Sequence, residues 1–161
     1  MQFFIAAKKG ETGLITSKWF LGIDDLSDVY YVRRKVFIEE QGIPEEIEID
    51  GTDADAYHLV LYEDGKPIAT GRFLRIDNVY VIGRVAVLEE SRGQKIGDLL
   101  MRVIIRRAFD FGASEQYVHA QESARGFYEK LGFTAYGESY YEAGIPHISM
   151  KHIGDVGGCG H

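Results

Sequence analysis

The chain is poor in cysteine, proline and tryptophan: one, three and one in 161 residues. A lone thiol closes no intramolecular disulfide, so the fold is expected to rest on its core, and a reducing cytoplasm is the expected compartment. Cys159 lies in Gly157-Gly158-Cys159-Gly160, and nothing near it in sequence would activate it as a nucleophile. No apolar run approaches the ~20 residues that span a bilayer, so no membrane association is expected. Met1-Gln2-Phe3-Phe4-Ile5 carries neither a basic leader nor a cleavage site, which argues against a secretory signal. Positive charge is also scarce. Lys and Arg number 18 against 25 Asp and Glu, a net charge of -7. That balance argues against a nucleic-acid partner, whose phosphates need a basic surface, while leaving attraction for cationic amines. No Cys/His cluster suits zinc. Asp50, Asp53 and Asp55 are spaced like calcium ligands but lack the loop glycine and the closing glutamate, so no metal is expected.

What is present is a globular balance, 45% hydrophobic and 27% charged. One domain over residues 1–153 is expected, with a Gly-rich, flexible tail over 154–161. Residues 3–7 read as an edge strand. Leu26, Val29, Tyr30, Val36 and Phe37 follow helical spacing from Asp24 to Gln41, with Asp24 or Asp25 as cap and Gly42 as stop. Residues 57–64 and 66–76 read as strands joined at Asp64-Gly65. A third strand covers 78–88, with a bulge expected at Gly83. A helix over 95–111 shows Leu99, Leu100, Val103, Ile104, Ala108 and Phe111 on one face and ends at Gly112. A strand at 116–121, a helix at 122–131 closed by Gly132, and strands at 133–141 and 146–152 complete the chain. Strand 78–88, helix 95–111 and strand 116–121 form a crossover, so those two strands should be parallel within an otherwise antiparallel sheet.

The turn Ser91-Arg92-Gly93-Gln94-Lys95-Ile96-Gly97 enters the long helix. A helix start offers unpaired N–H groups and partial positive charge, so a glycine-bearing turn there can cradle a pyrophosphate. This one is neither a Walker loop nor a Rossmann fingerprint. A second segment narrows the reading: Gln121-x-x-Ala124-x-x-x-Tyr128-x-x-x-Gly132-Phe133. Loop and helix together resemble the GNAT superfamily of acyl-CoA-dependent N-acetyltransferases. Their signatures are Arg/Gln-x-x-Gly-x-Gly/Ala and Asn-x-x-Ala-x-x-x-Tyr-x-x-x-Gly-Phe. Lys95 replaces the first of the loop's two glycines and Gln121 the asparagine. Loop residues in mostly helical angles would carry a lysine without strain. "RRKVFIEEQGIPEEIEIDGTDADAYH" and "GESYYEAGIPHISM" resemble the ElaA-like branch.

The resemblance implies a mixed α/β acyltransferase fold, acetyl-CoA as co-substrate and an amine acceptor, small molecule or peptide. It places Arg92, Gly93, Gln94, Lys95, Ile96, Gly97 and Asp98 at the pyrophosphate. Gln121, Ala124 and Tyr128 border the cofactor, and the main chain of Val85, Ala86 and Val87 pairs with its pantetheine arm. Tyr128 is the implied general acid. Glu48, His58, His119, Glu122, Glu142 and His147 are candidate bases, with His147 preferred for its place on a late strand and its near-neutral titration. Arg33 either snorkels past the core or turns into an acceptor pocket to hold a carboxylate or phosphate. Acyl-homoserine-lactone synthases are the alternative enzyme, and a CoA-binding sensor without catalysis the alternative outside enzymes. A homodimer is left open.

Overall fold

Asp64 and Gly65 take φ 49° and 80°, as a two-residue hairpin turn of matching twist requires, in the computed structural model, which describes residues 2–3, 13–77 and 79–153. They join β3 (Tyr57–Glu63) to β4 (Lys66–Ile76). The other elements, in chain order, are β1 (Gln2–Phe3), β2 (Ile15–Leu21), α1 (Ser27–Arg33), α2 (Glu45–Glu48), β5 (Val79–Val87), α3 (Ile96–Asp110), β6 (Glu115–Gln121), α4 (Arg125–Lys130), β7 (Thr134–Glu142) and β8 (Ile145–Ile153). The strands hydrogen-bond in the order β1-β2-β3-β4-β5-β6-β8-β7. Only β5 and β6 are shown as a parallel pair, from Tyr80–Gln116 to Ile82–Val118, as the crossover demands.

Residues up to Arg72 together with Arg84–Leu100 make one compact unit. In it β2 pairs antiparallel with β3 from Ile15–Glu63 to Leu21–Tyr57. This strand escapes the sequence reading because Ser17 and Lys18 break its apolar alternation, although Ser17 is buried. Of the expected edge strand at 3–7 only Phe3 is described, in the edge strand β1, and residues 4–7 lie outside the described ones. The predicted helix over 24–41 is present, but Arg34–Glu40 is wound as a π-helix before Gly42, at φ 72°, ends it. Asp25 accepts from Ser27 N at 3.0 Å, and Leu26, Val29, Phe20 and Val60 pack beneath.

Phe73–Gly83 with the residues from Met101 onward make the second unit. Here β8 lies between β6 and β7, antiparallel to both. The buried residues of α3 are Ile96, Leu100, Met101, Ile104, Ile105 and Ala108, whereas Phe111 is exposed. Its buried face is therefore rotated from the one the sequence suggests, because Met101 and Ile105 outcompete Val103 and Phe111. In β5 the left-handed residue is Arg84, φ 51°, one position after the glycine expected to bulge.

The first unit holds a network of six charges. Arg33, 0% exposed, donates from Nε to Glu48 at 2.6 Å, from Nη1 to Asp53 at 2.7 Å and from Nη2 to the Glu48 carbonyl at 2.8 Å. Arg72 donates to the same Asp53 oxygen at 2.7 Å, and Tyr30 to its other oxygen at 3.0 Å. Arg84 bridges Glu48 and Asp50 at 3.1 and 3.2 Å. Arg33 thus neither snorkels nor reaches solvent: every arm of its guanidinium is engaged. His58 Nε2 donates to the Asp53 carbonyl at 3.0 Å, which leaves Nδ1 buried without a partner, and burial lowers its pKa so that the ring stays neutral.

Burial raises the pKa of Asp53, but hydrogen bonds and charge from Arg33 and Arg72 outweigh it and hold the carboxyl below its usual value. A depressed folded pKa contributes stability above the unfolded value of about 4 and loses it as pH falls through the folded one. Stability measured in urea should therefore fall on the acid side of about pH 4. Asp53→Ala, which takes a shared partner from two buried guanidiniums, should cost about 3–5 kcal/mol and flatten that acid limb. A loss below about 1 kcal/mol would assign the network no structural weight.

Candidate active site

The turn after β5 is built by three backbone choices. Leu88 N donates to Ile68 O at 2.9 Å, ending the strand, and a single 3-10 turn over Glu89–Ser91 follows. Gly93 then takes φ 75° and Lys95 φ 62°. The lysine is left-handed, not helical, so the expectation of an unstrained lysine fails. This is the position where the family's loop has glycine, and an L-residue there costs roughly 1–2 kcal/mol. The first hydrogen bond into α3 runs from Leu99 N to Lys95 O at 3.1 Å. Among the described residues, the amides of Gly93, Gln94, Lys95, Ile96 and Gly97 donate to no protein acceptor. These five consecutive donors lead into and open a 15-residue helix, an arrangement of a kind that suits an anion.

Charge at this turn is divided unexpectedly. Arg92 is committed: Nη1 and Nη2 fork onto Glu40 at 2.7 Å each, and Nε donates to Val87 O at 3.0 Å. The hydrogen bond to Glu40 raises the arginine's pKa and lowers the glutamate's. Lys95 is exposed and has no ion pair among the described residues. Asp98 lies in the first turn of α3. Val85, Ala86 and Val87 end β5, with Ala86 buried and the two valines partly so.

In the second unit, Gln121 closes β6 and Ala124 closes a 3-10 turn, and α4 carries Tyr128. Tyr128 is 7% exposed, edge-on to Phe127 at 5.0 Å and Phe133 at 5.7 Å between ring centroids. Its hydroxyl makes no hydrogen bond among the described residues, and burial alone raises its pKa. His147 on β8 stacks on Tyr140 at 5.8 Å. Its Nδ1–H donates to Ile145 O at 2.7 Å, so in the neutral ring the lone pair sits on Nε2, 3.9 Å from Glu142. His119 meets the same tyrosine at 6.4 Å and Ser149 Oγ at 3.3 Å. Glu122 is half-occupied by Arg125 at 3.3 Å.

A family model, the GNAT acetyltransferase domain, matches residues 24–153. The chain belongs to the GNAT acetyltransferases. It is 37% identical to an N-acetyltransferase of Bacillus subtilis, YjcF, over 128 residues, 79% of this chain and 91% of that one. The crystal structure of Escherichia coli ElaA superposes with a TM-score of 0.78 at 31% identity, covering 86% of this chain and 99% of that one. An acyl-CoA N-acyltransferase from Pseudomonas aeruginosa does so with 0.78 at 32%, covering the same shares. The mixed α/β fold that the sequence resemblance implies is that of this GNAT family.

The charge network and the Arg92–Glu40 fork were not read from the sequence of this GNAT chain. A signal existed: Gly71-Arg72 and Gly83-Arg84 put arginines inside otherwise apolar strands, which demands buried acids elsewhere. Among the described residues no group of three His, Cys, Asp or Glu side chains could hold a metal ion.

Lys95→Gly should relieve the left-handed strain and raise stability by roughly 0.5–1 kcal/mol, the more flexible unfolded chain offsetting part of the gain. Thermal melts should move up by about 2–3 °C. A lower melting temperature would mean that the lysine side chain stabilises the turn.

Proposed function

We propose that the protein transfers an acetyl group from acetyl-CoA to a primary amine by direct attack of the amine on the thioester. The observation that carries this is the row of five unpaired amides from Gly93 to Gly97, beside the uncommitted ammonium of Lys95. The row suits a pyrophosphate, and the relative from Pseudomonas aeruginosa, described as an acyl-CoA N-acyltransferase, supports a CoA thioester as donor. The thioester supplies an acetyl group activated by a thiolate leaving group. Arg92 acts on the turn by tethering it to Glu40, and Lys95 supplies the charge. The first turn of α3 at Asp98 and the segment from Gln121 to Ala124 complete the cofactor contacts. The main chain of Val85, Ala86 and Val87 holds the pantetheine arm, with one amide polarising the acyl oxygen.

His147 takes a proton from the bound ammonium on Nε2, the nitrogen not bonded to Ile145, and the neutral amine so formed attacks the thioester carbon. Tyr128 donates to the departing sulfur. A phenol raised by burial stays protonated through the neutral range, so the donor is always loaded. The same shift makes it a reluctant acid. Its main contribution is a hydrogen bond that strengthens as charge builds on sulfur. Arg33 fixes the segment from Glu48 to Asp53 and positions the acceptor side without touching the acceptor.

Calorimetry should find one CoA site per chain. Gly97→Asp, which adds a carboxylate to the cradle while remaining compatible with a helix start, should weaken it at least about tenfold, or 1.4 kcal/mol. Unchanged affinity in a folded variant would displace the pyrophosphate from this turn.

Tyr128→Phe should leave CoA affinity intact and lower kcat and kcat/KM together, by about 100- to 10,000-fold. The lower end is expected if the hydrogen bond alone is lost. The measurement needs an amine that releases thiol from acetyl-CoA and chemistry that limits turnover. An unchanged kcat would make Tyr128 a packing residue.

A further inference from the structure

A cavity of about 750 Å³ opens in the first unit, walled by the start of α1, the β3–β4 hairpin and the turn after β5. That volume lies within the ~300–1,000 Å³ of small-molecule sites. Four carboxylates line it, Asp28, Glu63, Asp64 and Glu90, against one ammonium, Lys66. Asp28 accepts from Tyr62 Oη at 2.7 Å and Asp64 from Leu14 N at 3.0 Å. Glu63 and Glu90 make no hydrogen bond or salt bridge among the described residues. A fifth group makes the acids more than a solvated cluster. Ser91 is 4% exposed, lines the cavity, and its hydroxyl finds no partner among the described residues. The residue is packed in place while its hydroxyl stays accessible in the cavity, a fixed hydrogen-bond partner for whatever occupies it. Pro67, Ile68 and Leu88 give the wall an apolar stretch, and the Tyr31 ring stands at its edge.

We propose that this cavity binds a small organic cation, an aliphatic amine whose ammonium meets Glu63 and Glu90 and whose hydrocarbon body lies on Ile68 and Leu88. Ser91 then accepts from the ammonium. The site is coupled to the turn that follows it: Glu90, Ser91 and Gln94 form its wall and bracket Arg92 and Gly93 in the chain. An occupant held by these residues fixes the entry to the amide row, so amine and pyrophosphate ligands bind reciprocally linked. Only this coupling rests on the proposed CoA reading; the cation site does not.

The test is calorimetry on the full chain with 1,4-diaminobutane, and with 1,4-butanediol as its uncharged match, in the absence of CoA. The diamine should bind at one site and the diol should not. Glu63→Gln and Glu90→Gln break no hydrogen bond or salt bridge among the described residues and should each weaken the diamine by about fivefold, multiplying in the double variant. Equal binding of the diol, or a diamine affinity unmoved by both substitutions, overturns the site. Coenzyme A is then titrated with and without saturating diamine. A shift in CoA affinity that vanishes in the double variant supports the coupling, and an unchanged affinity overturns it. Diamine binding in a chain that binds no CoA would leave the cation site standing and remove the pyrophosphate turn instead.

Discussion

Three guanidiniums and three carboxylates, with Arg33, Arg72, Glu48 and Asp53 buried and Asp50 at the surface, impose the geometry of the first unit. Buried charge is tolerated when each member is paired, and here every buried member is, with one donor, Arg72 Nε, left unfilled among the described residues. Arg33 arrives from α1, Arg72 from β4 and Arg84 from β5, while Glu48 closes α2 and Asp50 and Asp53 come from the short segment between α2 and β3. That segment has little apolar surface to hold it, and its carboxylates do the holding instead. The left-handed angle of Arg84 follows from the same demand, because it aims the guanidinium at the end of α2, where Glu48 and Ile47 present carbonyls. Strain of this kind persists only where the surroundings over-determine it.

The network fixes β5 immediately before Val85, and the turn beyond Val87 is fixed by a second tether, the Arg92–Glu40 fork. Glu40 is the last residue of the π-helical stretch that continues α1, so the same helix that sends Arg33 inward also reaches the turn. A π-helix advances less per residue than an α-helix and carries its side chains to a different angle. The register of Glu40 relative to Arg33 is set by that winding.

Much of this was legible in the residues. Asp64-Gly65, Gly42, Gly112 and Gly132 mark ends correctly because a left-handed residue at a turn is a local demand that glycine or aspartate meets locally. The crossover and the motif helix followed from periodicity and spacing. What was missed is non-local or conformational. Strand β2 hides behind a buried serine whose burial depends on the sheet. The π-winding leaves the apolar pattern of residues 24–41 unchanged. The ion network joins residues 15 to 36 positions apart, and no window of sequence displays that. The angle of Lys95 was misjudged for the same reason, since backbone dihedrals at a turn are set by how strand and helix meet.

Lys95 draws these strands together. A glycine at its position would adopt φ 62° without cost, and the family's loop has one there. Here the arginine two residues past the 3-10 turn's centre is diverted to Glu40, which strips the turn of the positive charge it would otherwise offer. A lysine placed three residues later restores a cation at the price of left-handed strain. Its side chain projects from the residue whose carbonyl accepts the first hydrogen bond of α3, beside the row of open amides. In this turn the tether is Arg92, and the cation unpaired among the described residues is Lys95. The turn is held to the rest of its unit by a forked guanidinium, while its second cation is an exposed ammonium on four methylenes, which can adjust where the fork does not.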